Sequence, residues 1–126
     1  MNAHADARPC WTDLSTTDTA DAERFYGALL GWDVGRSETP MGEYLIGTVG
    51  DQQVAGMMAQ SPEIAGAPSM WTVYFWVDDL DAAVARATAA GGTVLQPPFE
   101  IPGGDRVSLV ADPTGATFGL MGGSSE

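Results

Sequence analysis

One local pattern occurs twice in this chain, 61 residues apart, and it constrains the fold more than any other feature. In the first copy Asp18 precedes TADAERFYGALL and Gly31; in the second Asp79 precedes LDAAVARATAA and Gly92. Each copy reads as a helix bracketed by its own end signals. An aspartate caps the free N–H groups, acids in the first turn suit the positive end of the helix dipole, and glycine closes the last turn. Ala22, Phe25, Tyr26, Leu29 and Leu30 fall on one side of the first helix, and Leu80, Ala83, Val84 and Ala87 on one side of the second. That spacing predicts a buried face for each.

Segments of strand character surround both helices. Residues 10–18 are rich in β-branched and aromatic side chains, 32–34 opens a second extended stretch, and 43–49 with 53–59 read as a hairpin turning at Gly50-Asp51. After a proline-containing loop from Gln60 to Ser69 the order begins again with WTVYFWV over 71–77. The second helix, a short strand at 93–95, and a connection through Pro97, Pro98 and Pro102 follow. A final pair, 106–111 and 117–121, is joined by the turn DPTG at 112–115. The predicted class is α+β: two βαβββ modules, at about 9–60 and 70–122, in a single domain spanning 9–122. Residues 1–8 read as a flexible leader and 123–126 as a frayed tail. One such module cannot cover its own sheet, so two are expected to pack together.

Charge removes several function classes. All five cations are arginine and there is no lysine, against 17 acids, for a net charge of -12. A lysine Schiff base and a phosphate-binding P-loop are out, and the protein's own field opposes binding to nucleic acid. Cys10 is the one cysteine and His4 the one histidine, the latter in the polar leader. No disulfide, cysteine cluster or histidine-based triad can be assembled from them. The leader lacks an apolar core, and no stretch has the apolar length of a membrane span, so a soluble, cytoplasmic protein is expected.

TD at 17–18, FYGALLGW at 25–32, VDDLD at 77–81 with AGG at 90–92, and DPTG at 112–115 resemble the vicinal oxygen chelate superfamily. That superfamily holds glyoxalase I, extradiol dioxygenases, fosfomycin-inactivating enzymes and bleomycin-resistance proteins, and the resemblance runs from Pro9 to about Gly122. It implies βαβββ modules forming a curved, partly open mixed sheet around a cleft, with helices on the convex side, and a homodimer. It also implies a divalent metal held by His, Gln or Glu on the concave strands. Here the corresponding positions fall on Trp11, Thr72 and Gly119, none of which is a catalytic metal ligand. Their neighbours Cys10, Thr12, Trp71, Val73, Phe118 and Leu120 offer only a thiol. No metal and no other cofactor are therefore expected.

Strand alternation supplies the ligand side. With Leu14 turned to the helix, Trp11, Asp13 and Ser15 point the other way. With Val73, Phe75 and Val77 helix-facing, Thr72, Tyr74 and Trp76 line the cleft; with Phe118 and Leu120 helix-facing, so do Thr117, Gly119 and Met121. Met57 or Met58 adds a soft wall, and Arg106 is a candidate for pairing with Asp13 or with a ligand carboxylate. The expected function is metal-independent binding of an aromatic or apolar small molecule, of the drug-sequestering, bleomycin-resistance type. The enzyme alternative is a metal-independent lyase, isomerase or cyclase using Asp13 or Tyr74 as acid or base. Two more readings stay open: a metal enzyme with carboxylate ligands from Asp13, Glu43 and Glu100, and a structural partner protein with a filled cleft.

Overall fold

The structure, a computed structural model, describes residues 6–39, 42–60, 66–101 and 104–122. Eight strands and two helices follow one another as β1 (Arg8–Thr16), α1 (Thr19–Leu30), β2 (Asp33–Thr39), β3 (Gly42–Val49), β4 (Gln52–Ala59), β5 (Met70–Trp76), α2 (Leu80–Ala89), β6 (Thr93–Glu100), β7 (Arg106–Ala111) and β8 (Thr117–Gly122). This is the predicted βαβββ order, twice. The chain forms two compact units, residues 11–72 and residues 73–126 with the segment before Trp11.

In the unit of residues 11–72 the strands run β2-β3-β4-β1, with β1 parallel to β4 and the other pairs antiparallel. Asp18 caps α1 by accepting from the Asp21 N–H at 3.0 Å, and Gly31 ends it in the left-handed region at φ 74°. Such a cap is worth about 1 kcal/mol, and a residue with a Cβ at Gly31 would be strained. The core lies between α1 and the sheet: Leu14, Ala22, Leu45 and Met57 are buried, with Tyr26, Trp32 and Val34 packed on them. Burying each large side chain contributes roughly 1.5–3 kcal/mol.

The expectation for α1 needs correction. Of its five apolar positions only Ala22 is buried, while Phe25, Leu29 and Leu30 are 49%, 61% and 51% exposed. α1 meets Leu14, Leu45 and Met57 through Ala22, with Tyr26 packed beside it, and Phe25, Leu29 and Leu30 lie outside that contact.

The other unit orders its strands β5-β8-β7-β6. β5 is parallel to β8 and the other pairs are antiparallel. Val77, Leu80, Ala83, Val110 and Leu120 form its core, with Phe75 and Phe118 in an edge-on pair at 5.9 Å. Asp79 caps α2 through the Ala82 N–H. The left-handed residue after α2 is Gly91 at φ 98°, so the conformational partner of Gly31 is Gly91 and not Gly92. Gly92 instead passes close to backbone, where a Cβ would stand 2.9 Å from the Ala111 carbonyl oxygen.

Two boundaries moved. β6 runs on through Pro97 and Pro98 to Glu100, where a connection was expected; it is an edge strand with register shifts at Val94/Gln96 and Gln96/Phe99, and an edge tolerates the missing donors. The leader is shorter than predicted: Ala7 N–H donates to the Trp76 carbonyl at 2.7 Å and Asp6 accepts from the Asp78 N–H at 3.1 Å. Residues 1–5, with His4, and 123–126 lie outside the described residues, as does 61–65 of the Gln60–Ser69 loop. The ends of that loop are tied down by the Gln60 amide on the Ala67 carbonyl and by Thr17 N–H on Ser69 Oγ at 3.0 Å.

Candidate functional site

Register fixes which side chains share the face of each sheet turned away from its helix. Leu14 pairs with Met57 and Leu45 with Met57, all in the core under α1. Their strand neighbours Asp13, Gly56, Tyr44 and Met58 therefore point the opposite way. There Trp11 Nε1–H donates to Asp13 Oδ1 at 2.8 Å and lies 3.1 Å from the Tyr44 hydroxyl, while that hydroxyl donates to the same Asp13 oxygen at 2.5 Å. The cluster needs Gly56 beneath it. A Cβ at that position would fall 1.7 Å from the Tyr44 hydroxyl oxygen and 2.4 Å from Asp13 Oδ1. Thr12 Oγ1–H on the Thr72 carbonyl, at 3.2 Å, fixes the backbone where β5 begins.

Sequence reasoning placed Trp11 and Asp13 on this face and missed Tyr44 and Gly56. The signals were present. Leu45 as a core residue turns Tyr44 outward by alternation, and a glycine inside a strand marks a close approach. Met57 is corrected: it is fully buried at 0% exposure under α1, so the methionine on the open face is Met58. Glu43 is also on the helix side of β3, where its carboxylate faces Arg36 at 3.4 Å, away from Asp13.

In the second unit Phe75, Phe118 and Leu120 pack toward α2, which turns Tyr74, Trp76, Gly119 and Met121 to the other face, as expected. Tyr74 (9% exposed), Trp76 (4%) and Met121 (8%) are buried. Gly119 plays the role of Gly56: a Cβ there would lie 2.2 Å from the Tyr74 ring. Cys10 Sγ is 3.9 Å from Met121 Sδ, and burial first, then the Asp105 charge, push its thiol up to about 11. Val73, expected against the helix, is 42% exposed.

Arg106 is the second correction. It shares the helix-facing row of β7 with Ser108 and Val110, and its guanidinium forks onto both carboxylate oxygens of Asp81 on α2 at 3.0 Å. The bond from Arg106 holds the Asp81 carboxyl below its ordinary range. An arginine so engaged on the helix side does not reach a ligand on the other face.

The resemblance implies a divalent metal held by His, Gln or Glu side chains on the strands. The resemblance puts its ligand positions on Trp11, Thr72 and Gly119, whose side chains carry no imidazole, thiol or carboxylate. Among the described residues no three His, Cys, Asp or Glu side chains are grouped to hold an ion. The residues present do not fit that metal. Among the described residues, no helix is long and apolar enough to cross a membrane.

Two βαβββ units, each with one helix and an aromatic opposite face, define a protein of the vicinal oxygen chelate class. The chain belongs to the Glyoxalase/Bleomycin resistance protein/Dioxygenase superfamily, whose sequence model matches residues 8–120. It is 39% identical over 115 residues to the Mycobacterium bovis protein named "Putative glyoxylase CFP32", covering 89% of this chain and 44% of that protein. It is 32% identical to the anthracycline biosynthesis protein DnrV of Streptomyces peucetius, covering 95% of this chain and 48% of that one. The chain thus spans about half the length of the curated relatives it matches. Methylmalonyl-CoA epimerase from Mycobacterium tuberculosis has the same fold, with a TM-score of 0.70 at 16% identity, covering 99% of this chain and 93% of that one.

Proposed function

We propose that this chain binds a planar aromatic or otherwise apolar small molecule, without a histidine-held metal. The observation that carries the reading is the Trp11–Asp13–Tyr44 cluster, in which an indole N–H and a phenol hold one carboxylate oxygen on a helix-free sheet face. Aromatic walls give stacking area, and a fixed carboxylate adds one directed hydrogen bond, the usual division of labour in a small-molecule site. Tyr74, Trp76 and Met121 give the second unit a face of the same character. DnrV is named for anthracycline biosynthesis, and anthracyclines are planar polycyclic aromatics, the ligand class that such faces suit. Sequestration of such a molecule is the role that follows most simply.

The test is native mass spectrometry of untagged protein, followed by tryptophan fluorescence titration with a neutral hydroxyanthraquinone. Saturable quenching that weakens in Trp11→Ala is expected. Stoichiometric divalent metal that binding requires would sink the reading.

The Tyr44–Asp13 hydrogen bond supports a second reading, a metal-independent lyase, isomerase or cyclase in which Asp13 moves a proton and Tyr44 positions it. Tyr74 is the other acid–base candidate. The two readings part at Asp13→Asn: an enzyme keeps its ligand and loses turnover, whereas a binding protein has no turnover to lose.

A further inference from the structure

Asp13 stands among uncharged neighbours. The β1–β4 and β3–β4 registers set Trp11, Ser15, Tyr44, Ile46 and Met58 on its face of the sheet, opposite Leu14, Leu45 and Met57 under α1. Of these side chains Asp13 is the one that carries a charge. Trp11, Asp13 and Tyr44 are each half-buried, within reach of a molecule laid on the sheet. The bonds that Asp13 Oδ1 accepts, from the Trp11 indole at 2.8 Å and from the Tyr44 phenol, come from neutral groups. They orient the carboxylate and do not neutralise it. Both donors point in the planes of their rings, and Trp11 Nε1 is 3.1 Å from the Tyr44 hydroxyl oxygen. The two ring faces therefore flank the carboxylate, close enough for one bound cation to meet all three groups.

We infer that the ligand of this face is an organic cation: a planar aromatic bearing an ammonium group, which sits against Asp13 between the Trp11 and Tyr44 rings. The inference rests on the binding reading above and narrows it. A neutral apolar molecule laid over Asp13 would strip water from a charge and put nothing in its place, which opposes binding. A carboxylate and two aromatic rings converging on one point suit an ammonium instead. The carboxylate supplies Coulomb attraction and the rings supply cation–π attraction. The field of the whole chain acts in the same direction, because a net charge of -12 without a single lysine gathers cations and repels anions. That field draws a cation to the protein in general, whereas the Asp13 register gives it one place to sit.

Tryptophan fluorescence titration of the full chain tests it with a matched pair of probes. One is an anthraquinone bearing a trimethylammonium-ethyl side chain, and the other carries a tert-butyl-ethyl side chain at the same position. The quaternary nitrogen keeps its charge at every pH, so the pair differ in charge and hardly in shape. The cation is expected to bind about tenfold or more tightly than its neutral isostere, and added salt weakens the cation alone. Asp13→Asn keeps an acceptor oxygen for Trp11 and Tyr44 and should bring the two affinities within about twofold of each other. Asp51→Asn, in the exposed turn between β3 and β4, changes the net charge by the same amount and should leave the wild-type ratio standing. The wild-type ratio and the Asp51→Asn control decide the matter even where Asp13→Asn does not fold. Equal affinity for the two probes, a preference that survives Asp13→Asn, or one that Asp51→Asn removes overturns this inference and leaves the binding reading intact. Saturable binding of neither probe overturns both.

Discussion

Tyr44 reaches diagonally across β4 to donate its hydroxyl proton to Asp13 Oδ1 at 2.5 Å, and the space it crosses is the missing side chain of Gly56. Asp13 and Gly56 are direct partners in the parallel β1–β4 ladder, so the carboxylate and the hole beside it are set by one register. Trp11, two residues earlier on β1, closes the cluster from the same face. The polar part of the candidate site is thus built on three strands, not on loops, which favours a fixed geometry.

Gly56→Ala therefore attacks the site through packing alone. Its Cβ would overlap the Tyr44 hydroxyl and crowd Asp13, and overpacking of this kind costs about 1–3 kcal/mol. Urea denaturation should register that loss. In a Tyr44→Ala background the same change should cost at least about 1 kcal/mol less, because the nearer of the two obstacles is gone and Asp13, no longer held by the phenol, can give way. Additive penalties would mean that Tyr44 and Gly56 do not share the space.

Arg106→Gln separates the two faces of the second unit. The guanidinium binds Asp81 on the helix side, so the substitution should leave hydroxyanthraquinone affinity unchanged within about twofold, a difference below ~0.4 kcal/mol. A large loss of affinity in the titration would return Arg106 to the ligand face.

The repeat, the caps and the parity of the core strands were legible because each is written in a few adjacent residues: Asp18 and Asp79, Leu14, Phe75, Leu120. Arg106 was misplaced although the same rule covered it, since it alternates with Val107 and shares its side with Val110. Met57 and Met58 could not be separated until the Leu14 and Leu45 registers were known. The exposure of Phe25, Leu29 and Leu30 was illegible for a deeper reason. A 3.6-residue stripe says which side of a helix is apolar, not how much of that side one sheet covers. Tyr44 and Asp13 are 31 residues apart, and only the β3–β4–β1 order brings them together.

Cys10 should be a slow nucleophile. With the thiol near 11 against an ordinary 9.0, the thiolate fraction at pH 8 falls by about two orders of magnitude. Ellman's reagent should label the native protein at least about a hundredfold more slowly than the urea-unfolded chain. Asp105→Asn removes the smaller of the two causes and should quicken labelling only modestly, because burial dominates.

Asp112 gives the fold a dependence on acid. Its Oδ1 accepts from Thr114 Oγ1–H at 2.7 Å, Thr114 N–H at 2.8 Å and Ala116 N–H at 3.1 Å, which closes the β7–β8 turn. The Thr114 hydroxyl is the largest cause of a carboxyl held below its ordinary 3.8, with the backbone N–H bonds next. A group whose pKa is lower folded than unfolded stabilises the fold above the unfolded value and loses that contribution as pH falls through the folded one. Stability from this turn is therefore complete at neutral pH and declines below the ordinary carboxylate range. Asp81 and Glu23, held low by bonds from Arg106 and Arg36, act in the same direction. Asp112→Asn keeps an acceptor oxygen but has no proton to bind. Its denaturation midpoint should be slightly lower than wild type at pH 7 and should converge on it as pH falls toward 3. Parallel curves across that range would place the acid sensitivity in the two ion pairs and not in the turn.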